Sequence, residues 1–292
     1  MKLSAQLADR LSDLQLDPIY VADIVERTID EDLAGGEDVT SIATIPADQV
    51  SVAEFRARKT GTVAGLCVAA AVLEVRGITD YKIQISEGDH IEPGEVLIWA
   101  KGNTRQLLLA ERTALNFIGR LSGIATLTRR WVNDVKGLPV EIRDTRKTTP
   151  LHRELEKFAV RMGGGTNHRM SLSDAALIKD NHIVAAGGVT QAFAAVRSKY
   201  PNIEVEVEVD RLEQLRDVVA AGADLVLLDN MSLEQCRAAV EMVKGKTKLE
   251  ASGGLTLENA HAYASTGVDY LAVGALTHSA PVLDIGLDFK AV

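Results

Sequence analysis

The chain has 292 residues, 46% of them hydrophobic and 25% charged, which excludes disorder and allows one barrel-sized domain or a barrel with a smaller companion. Thirty-two Lys and Arg face 41 Asp and Glu, so the net charge of −9 repels nucleic acid and anionic membranes. Any anion the chain binds must be met by a local basic cluster.

The amino terminus, MKLSAQLADRLSDLQLDP, mixes charges too early for a signal peptide. The longest uncharged apolar run, VAGLCVAAAVL at 63–73, is too short to span a bilayer and predicts a buried helix. The stretch 86–102 follows, with Gly88, Pro93-Gly94 and Gly102 punctuating short strands in a hairpin-like rhythm. Together these segments predict an α+β domain over 1–115. A helix-rich connector around 107–132 leads into a second domain over 116–279. The two cysteines, Cys67 and Cys236, are far apart in sequence and form neither a metal pair nor a disulfide framework. They read as small buried residues in a reducing, cytoplasmic setting.

From about residue 140 the pattern changes. Short β-branched runs alternate with helical periodicity, each closing on a polar or glycine turn, as in a βα array. The predicted strands are 140–146, 176–182, 203–209, 225–230, 248–254 and 270–276. Between them, Leu212, Leu215, Val218 and Val219 recur at helical spacing and stop at Gly222. Six parallel strands can close into a TIM-like barrel or open into a doubly wound sheet. No GxGxxG follows the first strand, which favours the barrel.

In such barrels chemistry gathers where strands end. Those ends carry Arg146 and Lys147, Lys179 and Asp180, Glu208 and Asp210, Asp229 and Asn230, Ser252-Gly253-Gly254, and Gly274. Glu204, Glu206 and Glu208 alternate with valines on one face of a strand covered on both sides, where bare carboxylates are costly. Glu208, nearest the rim, is the functional candidate; Glu204 and Glu206 are expected as structural ion-pair partners. Residues 143–179 hold eight Lys and Arg against four Asp and Glu. Arg153 and Lys157, at helical spacing, read as a solvated face, whereas Arg146, Lys147, His168, Arg169 and Lys179 do not. The triple glycine of RMGGGTNHRM predicts a loop that comes close to a ligand. ASGG and VGALTHS stand where barrels hold phosphate on backbone N–H groups. The rim suits a substrate with several carboxylate or phosphate groups. Its own carboxylates make sense with Mg²⁺ between them and phosphate, or facing a positive charge that develops in the transition state.

The ordered segments EDLAGGEDVTS, ERTALNFIGRLSGIAT, DTRKTTP, GGGTNHR, ALIKDNH, EVEVD, LLDN, EASGG and GVDYLAVGALTHS resemble the quinolinate phosphoribosyltransferase family over nearly the whole chain. The resemblance implies an α/β fold, an incomplete TIM-like barrel with an N-terminal α+β sandwich whose C-terminal tail, 280–292, returns to it. It implies transfer of phosphoribosyl from phosphoribosyl pyrophosphate (PRPP) to quinolinate with decarboxylation, in NAD biosynthesis. It also implies a homodimer, or a larger assembly built from it, with Arg112 reaching into the partner's site. Arg146, Lys147, His168, Arg169 and Lys179 would line the substrate pocket. Glu208 and Asp229 would face the ribose and Mg²⁺-pyrophosphate, and Ser252, Gly253 and Gly274 would hold the 5′-phosphate. Lys147, Glu208 and Asp229 are thereby the catalytic candidates. Leu151-His152-Arg153 departs from the family's usual Gly-Leu-Arg. Two other functions are open at this level, a phosphoribosyltransferase for a monocarboxylate or another base, and a non-catalytic metabolite sensor.

Overall fold

The computed structural model describes residues 3–291, with side chains through Phe289. In chain order the elements are α1 (Ala5–Asp13), α2 (Pro18–Leu33), α3 (Val39–Thr44), β1 (Val50–Ala57), β2 (Gly61–Thr62), α4 (Leu66–Val75), β3 (Asp80–Ile83), β4 (His90–Ile91), β5 (Val96–Asn103), α5 (Thr104–Asp134), β6 (Glu141–Arg143) and α6 (Arg153–Met162). There follow β7 (Ala175–Ile178), α7 (Asp180–Ala186), α8 (Val189–Lys199), β8 (Glu204–Val209), α9 (Leu212–Ala221), β9 (Leu225–Asp229), α10 (Leu233–Val243), β10 (Lys248–Ser252), α11 (Leu257–Ala264), β11 (Tyr270–Ala272), α12 (Ala275–His278) and β12 (Ile285–Ala291). Among the described residues no helix is long and apolar enough to cross a membrane. The chain divides into two compact units, one holding residues up to Leu127, Glu154–Gly164 and the segment from Ala280 onward, the other Thr128–Arg153 and Gly165–Ser279.

The first unit is built on an antiparallel sheet in the order β12-β1-β5-β3. β1 alternates buried and less buried residues along its length, the signature of a strand with one face on a core. α4 is the predicted apolar helix, and nine of its ten residues are buried. It has no side chain at its own N-cap. The carboxylate of Glu87 takes that part, accepting from Gly65 N (2.8 Å) and Cys67 N (3.0 Å). The hairpin expected in 86–102 does not form. β4 pairs with β2, while β5 runs between β1 and β3, because only the longer strand offers enough buried side chains for a central place. Gly102 marks no turn. It lies within β5, where an added Cβ would press on Ile78.

The expected division at 115/116 falls inside α5, one continuous helix. From Glu154 onward α6 groups with the first unit rather than with the barrel, because these polar residues bond there. Arg120 Nη2 donates to Glu156 (2.9 Å), Arg161 Nη2 to the Leu14 carbonyl (2.7 Å), and Glu154 accepts from Asp17 N (2.9 Å). Lys157, expected in solvent, is fully buried. The segment after Ser279 also belongs to this unit. Leu283 N bonds the Gly119 carbonyl (3.0 Å), and a Cβ at Gly123 would collide with the Pro281 carbonyl oxygen.

The second unit is a six-stranded parallel sheet in the order β6-β11-β10-β9-β8-β7. Taken from β7 through β11 and on to β6, neighbours follow the chain, as in a (β/α) barrel. β6 and β7 do not pair with each other, so the ring stays incomplete, with only an isolated bridge from Arg143 to Thr166 beside β6. All six strands are shorter than the sequence suggests, three of them by three residues or more. β6 stops at Arg143, β7 at Ile178 and β11 at Ala272. At β7 the reason is local. His182 Nδ1 accepts from Lys179 N (3.0 Å) and starts α7 where the strand was expected to continue.

Candidate active site

The parallel register aligns the strand tips. Asp229 on β9 pairs with Ser252 on β10, Ser252 with Ala272 on β11, and Ala272 with Arg143 on β6. Two residues lower, Glu208, Leu227 and Glu250 lie abreast on β8, β9 and β10. A cavity of about 380 Å³ opens over these rows, lined by Arg146, Lys147, His168, Arg169, Lys179, Glu208, Asp229 and Ser252 together with Glu250, Thr145, Leu177, Leu227 and Ala272. Eight residues expected from six separate stretches of chain thus meet around one hollow. Gly253 and Gly274 are not among its lining residues but adjoin them. A Cβ at Gly253, whose φ is +88°, would meet Asn230, and one at Gly274 would press on the Lys147 side chain. Arg112 is exposed on α5 and does not line this cavity.

The loops that carry the cations are pinned from below. Asp144, fully buried at the end of β6, accepts from His168 N (2.9 Å) and Asn167 Nδ2 (2.6 Å). Thr277 Oγ1 donates to the Lys147 carbonyl (2.8 Å). Across the cavity, Lys179 Nζ pairs with Glu208, and Asn230 Nδ2 donates to Asp229 (2.8 Å).

A buried ionic network lies beneath. His168 Nε2 is 2.7 Å from Glu206 and 3.6 Å from Glu250. Arg143 donates to Glu250 (2.9 Å) and stacks 4.1 Å from the Tyr270 ring centroid. Burial pushes Glu206 up to about 7 against the pull of Arg143 and Arg169. Burial, and then the charge of Glu206, pushes Glu250 up to about 7 as well. Arg169 is lowered by burial and by its neighbour Arg146, so the cations repel one another in the absence of an anion. His168, Glu206 and Glu250 offer ligand atoms within 4.8 Å of one another. Glu250 already pairs with Arg143 and Glu206 with His168, and the trio reads as a salt-bridged support rather than a cation site. Glu204, expected to pair structurally, is exposed and joins no ion pair among the described residues.

Among the described residues, the buried side-chain polar atoms without a partner are Arg143 Nε, Arg146 Nε, Arg169 Nε, Glu206 Oε1 and Glu250 Oε1. All lie in this site or its support. Buried donors without acceptors are rare enough to call for a ligand, and guanidinium donors call for an anion. A larger hollow of about 630 Å³ lies on the first unit's sheet, lined by Glu54, Asp89, His90, Glu95, Trp99 and others, with no Lys or Arg. It cannot hold a polyanion.

Sequence reasoning assigned no role to Arg143, Asp144 or Glu250. A charge flanked by Leu249 and Ala251 in a doubly covered strand was the available signal for Glu250.

Family models described as quinolinate phosphoribosyl transferase, N-terminal domain and C-terminal domain, match residues 38–122 and 124–288. The chain is 49% identical over 284 residues to a nicotinate-nucleotide pyrophosphorylase (carboxylating) of Mycobacterium leprae (strain TN), covering 95% of this chain and 99% of that protein. It is 43% identical over 263 residues to a probable enzyme of the same name from Bacillus subtilis (strain 168), covering 88% and 89%. The solved structure of the nicotinate-nucleotide pyrophosphorylase from Francisella tularensis superposes with a TM-score of 0.89 at 38% identity, covering 93% of this chain and 96% of that one. The chain belongs to the quinolinate phosphoribosyltransferase family.

Proposed function

We propose that this protein transfers the phosphoribosyl group of PRPP to quinolinate, releasing pyrophosphate and CO₂ and forming nicotinate mononucleotide for NAD synthesis. The observation that carries this reading is the pair of arginines with unpartnered donors, Arg146 and Arg169, that line a cavity of about 380 Å³ beside Lys147, Lys179 and His168.

The residues divide the work by charge. Arg146, Arg169 and Lys179, with His168, receive the two carboxylates and hold the pyridine nitrogen toward the ribose. Arg112, exposed on α5, completes the pocket of a partner subunit in a homodimer of cytoplasmic setting. Ser252, Gly253 and Gly274 take the 5′-phosphate. The positive φ of Gly253 lets its backbone turn toward that group, which a side chain would block. The nitrogen attacks C1 as the bond to pyrophosphate breaks, and positive charge grows on the ribose. Glu208 and Asp229 stand at neighbouring strand tips to stabilise that charge, while Lys147 opposes the charge of the departing pyrophosphate. The same two carboxylates offer the hard oxygen donors that Mg²⁺ prefers. Bound with PRPP, Mg²⁺ would supply further neutralisation of the pyrophosphate. Once the nitrogen is quaternary, the bond to the 2-carboxylate breaks. Its electron pair stays at C2 beside the positive nitrogen until a proton replaces CO₂.

The test is an assay with quinolinate, PRPP and Mg²⁺ that follows nicotinate mononucleotide. Product from nicotinate and none from quinolinate would overturn the reading in favour of a monocarboxylate enzyme. Binding of either substrate without turnover would point to a sensor.

A further inference from the structure

Two loops bring like charges together. One, after β6, carries Arg146 and Lys147; the other, before β7, carries His168 and Arg169. After burial, the charge of Arg146 on the first loop is the next cause that lowers Arg169 on the second. Asp144 ties the loops at their base, through Asn167 and the His168 backbone. Arg153 bonds to both loops as well.

Arg153 opens α6, and its guanidinium turns back toward the barrel loops. Nε donates to Thr148 Oγ1 (3.0 Å), Nη1 to the Met170 carbonyl (3.1 Å) and Nη2, more weakly, to the Arg146 carbonyl (3.5 Å). Thr148 and Arg146 belong to the first loop and Met170 to the second. None of the three acceptors is charged, and Arg153 forms no ion pair among the described residues. Its contribution is therefore directional. A planar fork of five donors reaches three fixed oxygens at once, which an ammonium on a flexible stem cannot do. Met170 is itself held, since its N–H donates to Asp174 (2.6 Å), so the pull of Arg153 passes into an ordered turn.

We infer that Arg153 is a positioning residue whose guanidinium ties the Arg146–Lys147 loop to the His168–Arg169 loop and so sets the spacing of the cations that receive the dicarboxylate. The role rests on the proposed reaction, and it adds to that reaction a residue that touches neither substrate. A misplacement of about 1 Å in such a site can cost roughly 10²-fold in rate.

The experiment compares Arg153→Gln, Arg153→Lys and Thr148→Val with the wild-type enzyme. It measures kcat, KM for quinolinate, KM for PRPP, melting temperature, and calorimetric binding of quinolinate alone. Arg153→Gln should raise KM and Kd for quinolinate at least about tenfold while KM for PRPP stays within about twofold. Arg153→Lys should recover little of this, because it restores charge but not the fork. Thr148→Val should act in the same direction more weakly, and its effect should not add to that of Arg153→Gln. Unchanged quinolinate binding in a folded Arg153→Gln protein overturns the inference. So does full rescue by lysine, or a loss that affects both substrates equally and follows the melting temperature. If the wild-type protein binds quinolinate but makes no nucleotide, the proposed reaction falls, and the binding measurements still decide the role of Arg153.

Discussion

The two units treat buried polarity in opposite ways. In the first, polar groups under the surface are matched. Ser51 and Thr104 hydroxyls meet at 2.7 Å, Ser122 serves both the N–H and the carbonyl of Ala64, and Glu87 caps α4. In the second, Arg143, Arg146, Arg169, Glu206 and Glu250 each keep a buried atom without a hydrogen bond, at the cavity or in the ionic network beneath it. A region that only has to fold satisfies its donors internally, whereas a region that binds must leave some for the ligand. Cavity size alone misleads here, since the larger hollow lies on the sheet that lacks cations.

This contrast is open to attack by substitution. The largest effect is expected at Lys147, an exposed cavity residue. Lys147→Ala should lower kcat by about 10²–10³-fold, the cost of losing one charge-stabilising group. The melting temperature should move by no more than a degree or two. A large thermal loss with intact activity would erase the distinction between the units. The converse change is Leu73→Ala in α4, where the side chain is fully buried. It should cost about 2–5 kcal/mol in urea unfolding while the remaining folded enzyme keeps its kcat.

The next test uses carboxylates from both units. Glu87 is pushed up to about 7, by burial, against the lowering effect of backbone N–H groups on α4. Glu250 reaches about 7 through burial and Glu206. A carboxyl whose folded pKa is raised adds stability that is fully present below its unfolded value and is lost as pH rises through the folded one. Stability should therefore fall between about pH 4.5 and 7, by on the order of 1–3 kcal/mol for each group. Glu87→Gln should flatten that slope and leave kcat unchanged. Glu250→Gln should flatten it and also impair quinolinate binding by freeing Arg143. Equal effects on activity would remove the functional difference between the two sites.

The smallest effect is expected at Leu151, which holds φ at +66° and is 64% exposed. The left-handed region costs a leucine about 1–2 kcal/mol, and the family's usual glycine would avoid it. Part of that gain is returned as chain entropy, so Leu151→Gly should stabilise the fold by at most about 1 kcal/mol, read as a rise of a few degrees in melting temperature.

By itself, the sequence determined the class of architecture and the chemistry of the rim. Period-two and helical patterns placed six strands and their crossovers, because doubly covered strands must be apolar and amphipathic helices must keep an apolar stripe. Charges at the ends of those strands singled out Arg146, Lys147, His168, Arg169, Lys179, Glu208 and Asp229. The tertiary structure decided what each charge does. Lys157 and Arg153 share one helical spacing, yet the first is buried in the α/β unit and the second ties two barrel loops. Glu204, Glu206 and Glu208 share one alternation, yet the first is exposed, the second supports His168 and the third meets Lys179. The register of β8, β9 and β10, which sets Glu208 and Glu250 abreast, depends on pairings between residues about twenty positions apart. Periodicity is a local property of a chain; the partner that gives a charge its role is supplied by contacts distant in sequence.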